Sequence, residues 1–146
     1  MSLGDEPARV PPGFELFDTS KMPFMELLGP FYRKRGTAVI QLGLWLEARH
    51  CDENGLVHDG VLATLADVAL GRSLVESRNC QQSVVTVSLN LERVAELTAN
   101  HWVEALVSIK QGEGEIGHCQ CEVRSDEQLL MVVNGTFKYI NQRYYP

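Results

Sequence analysis

The chain has 146 residues, 45% of them hydrophobic and 22% charged, the make-up of a soluble globular protein with one core. Its 13 Lys and Arg against 19 Asp and Glu leave a formal charge of −6. That balance argues against broad binding to nucleic acid or anionic membrane, and leaves open an anionic ligand in a local basic pocket. No apolar run is long enough to span a bilayer and no basic-then-apolar leader opens the chain, so a cytoplasmic location is expected.

Pro7, Pro11, Pro12 and Gly13 predict an irregular arm over residues 1–20. From Pro23 to Lys34, Phe24, Leu27, Leu28 and Phe31 fall at helical spacing, and Gly29 and Pro30 should end or kink this short helix. Strand alternation then takes over, with Ala38, Ile40, Leu42, Leu44, Leu46 and Ala48 on one face. After a long central helix the same period returns in three further places. Val85, Val87, Leu89 and Leu91 share a face opposite Thr86, Ser88 and Asn90; Val103, Ala105, Val107 and Ile109 share another. Cys119, Cys121 and Val123 share a third, with His118 on the opposite side. Gly112–Gly114 and Ser125–Gln128 read as turns, which makes the last strands an antiparallel meander. A single α+β domain spanning residues 1–146 follows, with one long helix to cover the dry face of the sheet.

The four cysteines do not form a disulfide framework by count or spacing, and Cys119 and Cys121 read as buried strand residues rather than metal ligands. No metal or other cofactor is implied.

The central helix, read from Gly60 to about Val75, is apolar around most of its circumference, and Ala63, Ala66, Ala69 and Gly71 keep part of it small enough for close backbone approach. Asp67 stands out in it. A carboxylate there is solvated on an exposed stripe, held by structural hydrogen bonds, or used in chemistry. Just before the helix, Asp59 has the chemistry of an N-cap, and His58 is either a satisfied loop histidine or part of a site. Backbone N–H groups at Asp59 and Gly60 are of the kind that polarise a ligand carbonyl.

The stretch DENGLVHDGVLATLADVALG, residues 52–71, resembles the signature of hotdog-fold acyl-CoA thioesterases of the phenylacetate-pathway PaaI type: Asn-x-x-Gly-x-x-His-Gly-Gly, apolar residues, then Asp. VVTVSLNLERV and GTFKYI are similar to that family's later strands, so the likeness in layout runs from Phe24 to Ile140. The resemblance implies a curved antiparallel sheet wrapped around the central helix. It also implies a homodimer with a continuous sheet, often a dimer of dimers, and an acyl-CoA site at the dimer interface. Asp67 matches the acid that acts as general base or nucleophile, and His58 matches the motif histidine. Gly60 matches the second glycine, while Asp59 falls where the family has the first, whose N–H meets the thioester oxygen. Asp52 replaces the usual Asn, turning an amide donor into an acceptor. Thr86 and Ser88 are candidates to orient water, and Arg72 and Lys110 stand among the basic residues available for coenzyme A phosphates.

The expected function is therefore hydrolysis of an acyl-CoA thioester to a carboxylic acid and free coenzyme A. The rival readings are an acyl-CoA or acyl-ligand binding protein without catalysis, a hydratase or dehydratase on the same fold, and a structural dimerisation domain.

Overall fold

The computed structural model describes residues 9–37, 39–111 and 114–141, and of Lys110 and Gln111 the backbone alone. The elements in order are β1 (Phe14–Leu16), α1 (Pro23–Leu28), β2 (Phe31–Lys34), β3 (Gln41–Trp45), a 3₁₀ turn (Ala48–His50) and α2 (Asp59–Ser77). Four long strands follow: β4 (Ser83–Arg93), β5 (Trp102–Gln111), β6 (Ile116–Ser125) and β7 (Gln128–Ile140). All seven strands pair antiparallel in one sheet of order β1-β2-β3-β5-β6-β7-β4.

Alternation places the core as expected over most of the sheet. Ile40, Leu42, Leu44, Leu46, Val103, Ala105, Val107, Cys119, Cys121 and Val123 are all buried, while His118 is exposed on the far face and meets the Thr136 hydroxyl. The meander β5-β6-β7 is present, although Gly112 and Glu113 of its first turn lie outside the described residues, as does Ala38 of the expected first strand. Ala48, at that strand's other end, is exposed in the 3₁₀ turn.

Three expectations need correction. The sheet is not wrapped around the helix. It is open, with β1 and β4 at opposite ends and unpaired to each other, and α2 lies across one face of it. Closure would need edge-to-edge pairing at a fixed stagger, and a three-residue β1 cannot supply that to an eleven-residue β4. A stripe of α2 through Thr64, Asp67, Val68 and Arg72 is therefore left uncovered by the sheet. Second, although Gly29 and Pro30 end the short helix as expected, Phe31–Lys34 is a strand instead of its continuation, and it pairs with Phe14–Leu16, inside the region expected to be irregular. Third, β4 carries a bulge between Thr86 and Ser88. Ahead of it Val84 and Thr86 face α2; after it Leu89 and Leu91 do, and Val87 is 59% exposed. An inserted residue reverses the alternation, which is why the expected set Val85, Val87, Leu89, Leu91 is half correct.

Among the described residues, no helix is long and apolar enough to cross a membrane.

The small residues of α2 are not all forced by packing. A Cβ on Gly71 would lie 3.4 Å from the Phe137 ring and 3.5 Å from Val84, which is ordinary contact. Gly71→Ala should therefore stabilise the protein by about 0.5–1 kcal/mol through helix propensity. The check is a higher urea midpoint at unchanged m-value; a lower midpoint would mean that helix and strand have no room for the methyl group.

Candidate functional site

The site grows from one hydrogen bond. Thr86 Oγ1 on β4 donates to Asp67 Oδ1 on α2 at 2.8 Å. The bulge makes this possible by turning Thr86 to the helix side, and the open sheet leaves Asp67 half-buried rather than enclosed. Two depressions meet at this pair. One, of about 870 Å³, runs past Lys21, Val68, Gly71, Arg72 and Cys80. The other, of about 420 Å³, is mostly apolar and is lined by Phe24, Met25, Ala63, Thr64, Val68 and Leu89. Asp67 and Thr86 belong to both, so one carboxylate separates a groove with cations from a groove without.

The helix start differs from the local expectation. His58, not Asp59, is the N-cap: its Nδ1 accepts the Gly60 N–H at 2.9 Å. Asp59 is the first helical residue, and its carboxylate pairs with Arg93 of β4 at 3.3 Å; Arg93 also donates to the Val57 carbonyl. His58, Asp59 and Gly60 are all exposed. Asp52 organises the preceding turn, its Oδ1 accepting the N–H groups of Asn54 (2.8 Å) and Leu56 (3.1 Å).

Of the other candidates, Arg72 lines the basic groove and shares Glu76 with Arg33. Ser88 is opposite Thr136 on the face of the sheet away from α2, so the structure does not bring it to Asp67. Lys110 lies on β5 by its backbone; its side chain is outside what the structure describes. Lys21 has no signal in the sequence, because only the tertiary fold brings the segment before α1 into the groove that Asp67 lines. Burial pushes the Cys119 and Cys121 thiols up to about 12, which keeps both protonated.

One loop connects the walls of the site. His50, at 1% exposure, accepts the Glu47 N–H on Nδ1 (2.8 Å), and its Nε2 donates to the Leu28 carbonyl of α1 (2.7 Å). Its own carbonyl accepts the N–H of His58 at 2.9 Å. The neighbouring Arg49 guanidinium donates to the carbonyls of Leu27, Leu28 and Gly29. These are C-terminal carbonyls of α1 that a six-residue helix leaves without internal partners.

Comparison with known proteins gives the family. The model of the thioesterase superfamily matches residues 54–132. A Pseudomonas aeruginosa protein named for an inferred esterase activity is 33% identical over 130 residues, which is 88% of this chain and 96% of that protein. A mutant of the phenylacetic acid degradation protein PaaI from Thermus thermophilus superposes with a TM-score of 0.70 at 26% identity, covering 80% of this chain and 97% of its own. A Bacillus halodurans protein solved with CoA shares the fold, with a TM-score of 0.64 at 24% identity over 68% of this chain and 66% of that one. The chain belongs to the thioesterase superfamily, as a relative of its hotdog-fold PaaI-like members, and is a thioester hydrolase by class.

The bonding of His50 has a consequence for stability. Burial, ahead of every other influence, holds its imidazole below the ordinary value of 6.5, and the Nδ1 contact with the Glu47 N–H needs the neutral ring. The unfolded chain takes up the proton more readily, so stability should fall as pH drops below about 6.5 and be fully present above it. Urea unfolding at pH 5.5 and 7.5 should show a smaller pH difference in His50→Gln than in the parent. An equal difference in both would place the effect elsewhere.

Proposed function

We propose that the chain is an acyl-CoA thioesterase in which Asp67 is the general base or nucleophile. The observation that carries this reading is the Asp67–Thr86 bond at the meeting point of a cationic and an apolar groove. A coenzyme A ester has that same division: a phosphorylated carrier, an apolar acyl group and a reacting carbonyl between them. Lys21 and Arg72 suit the phosphates, with Lys110 a further candidate. That a protein of like fold was solved with CoA supports this substrate class.

As base, Asp67 takes a proton from water whose oxygen attacks the thioester carbonyl. The resulting oxyanion collapses, the C–S bond breaks, and the coenzyme A thiolate leaves and is protonated. As nucleophile, the carboxylate attacks the same carbonyl and expels the coenzyme A thiolate, which is protonated; water then hydrolyses the acyl anhydride so formed to the acid and the free carboxylate. Thr86 fixes one carboxylate oxygen in either case. For the oxyanion, the N–H of Asp59 is the better donor, since that of Gly60 is engaged by His58.

Base and oxyanion donor cannot come from one chain. Asp59 and Asp67 are eight residues apart on α2, roughly 12 Å along its axis, whereas both groups must reach one carbonyl at about 3 Å. A second copy resolves this. The edge strand β4 presents eleven residues with one side unpaired by its own chain, a template for pairing with β4 of a partner in a homodimer, itself able to form a dimer of dimers.

Two tests follow. Asp67→Asn should lower kcat/KM for free-thiol release from acyl-CoA by about 10²–10⁴-fold without changing the circular dichroism spectrum. Full turnover in this variant overturns the assignment of Asp67, and ester binding without release by the parent makes the protein a binding module. Val87→Lys, on the exposed edge, should convert dimer to monomer in sedimentation and remove turnover with it. An active monomer would show that one chain holds a complete site.

A further inference from the structure

α1 is an unusual helix. It has six residues and no side-chain N-cap, and it buries Met25 while leaving Phe24 61% and Leu27 69% exposed. So short a helix does not hold its place by its own hydrogen bonds. Its position comes from neighbours: Thr19 Oγ1 donates to Glu26 at one end (2.8 Å), and the Arg49–His50 pair grips the carbonyls of Leu27, Leu28 and Gly29 at the other. The same His50 is tied through its carbonyl to His58 at the start of α2. His50, itself buried, therefore links α1 directly to the start of the helix that carries Asp67.

Between the two helices lies the apolar depression. Phe24 and Met25 of the α1 side line it together with Ala63 and Thr64 of α2, and Asp67 and Thr86 belong to the same lining. A largely exposed phenylalanine lining the same depression as Asp67 and Ala63 has the surface to contact an apolar group delivered to that carboxylate.

We propose that Phe24 is a specificity-determining residue that contacts the acyl group of the ester, and that His50, with Arg49, is a positioning residue holding α1 at the distance from Asp67 that selects acyl size. This rests on the acyl-CoA reading above. The occupant to which the depression is assigned is the acyl chain; a second copy of the protein covering Phe24 is the rival occupant.

The experiment measures steady-state thiol release from acetyl-, hexanoyl- and benzoyl-CoA by the full chain, with Asp67→Asn alongside. Phe24→Ala should shift the kcat/KM ratio of benzoyl- or hexanoyl-CoA to acetyl-CoA by about tenfold against the larger esters, through KM more than kcat. His50→Ala should reproduce the shift with Phe24 intact. His50→Gln, whose amide can still donate to the Leu28 carbonyl, should restore it. The double variant F24A/H50A should lose no more selectivity than F24A, because His50 acts through α1. Phe24 is exposed, so its variant carries the test even where H50A does not fold. An equal effect of F24A on all three esters, or its conversion of dimer to monomer, overturns the inference while an inactive D67N leaves the hydrolase reading standing. A fully active D67N sinks the assignment of Asp67 whatever F24A does, and a parent inactive on all three esters overturns both.

Discussion

The bond between Thr86 and Asp67 depends on a one-residue irregularity, and the candidate site depends on that bond. In a strand of unbroken alternation, Leu89 and Leu91 facing the helix would put Val87 and Val85 there too, and Thr86 would face solvent on the far side. The bulge between Thr86 and Ser88 keeps the two leucines on the helix face and still delivers a hydroxyl to the acid. The openness of the sheet matters equally. Enclosed by strands on all sides, a carboxylate in the middle of α2 would be an unpaired buried charge, costly by several kcal/mol. On the uncovered stripe it is half-buried, holds one hydrogen bond and keeps access to a ligand. The open sheet and the tolerated acid are two consequences of one arrangement.

What was legible in the sequence follows the range of the forces involved. Residues whose place is set by burial on a regular strand were readable from period alone: Leu42, Leu44 and Leu46; Val103, Ala105 and Val107; Cys119, Cys121 and Val123. So was the central helix, within two residues of its observed end. Features set by one extra residue or by remote pairing were not. The bulge leaves no mark on composition, and β2 is a strand because it pairs with β1 on one side and with Leu44, Gly43 and Leu42 of β3 on the other. Local capping rules favoured Asp59 over His58 because carboxylates are the commoner caps. Arg93, some thirty residues on, takes the carboxylate instead and leaves the imidazole to accept the Gly60 N–H.

The site divides in the same way. Asp67 was visible as a chemical misfit in an apolar helix, and Thr86 as one of several polar residues on a strand. Their contact was not visible, nor was the exclusion of Ser88, since both turn on the bulge. Lys21, Arg49 and His50 carry no local signal. Each acquires its place from segments twenty to fifty residues away, and a buried histidine bonded on both nitrogens looks in sequence like any other loop histidine.

Asp59, at the position where the sequence resemblance would put a glycine, bears on whether the helix start can serve chemistry. Glycine is demanded only where the backbone is left-handed or a side chain would collide. Asp59 is the first residue of α2 and lies in ordinary helical backbone, so neither condition holds. Its charge is the remaining objection, because an oxyanion forming near it would be repelled. Arg93 answers this in part: it pairs with the carboxylate at 3.3 Å in a partly exposed setting, where such a pair is worth at most about 1 kcal/mol in stability yet still offsets the charge locally. Arg93 and Thr86 sit on the same strand. β4 thus holds the acid of α2 through one side chain and answers the charge at the helix start through another, while its outer edge is unpaired by its own chain. A disturbance of β4 therefore reaches Asp67 and the helix start together.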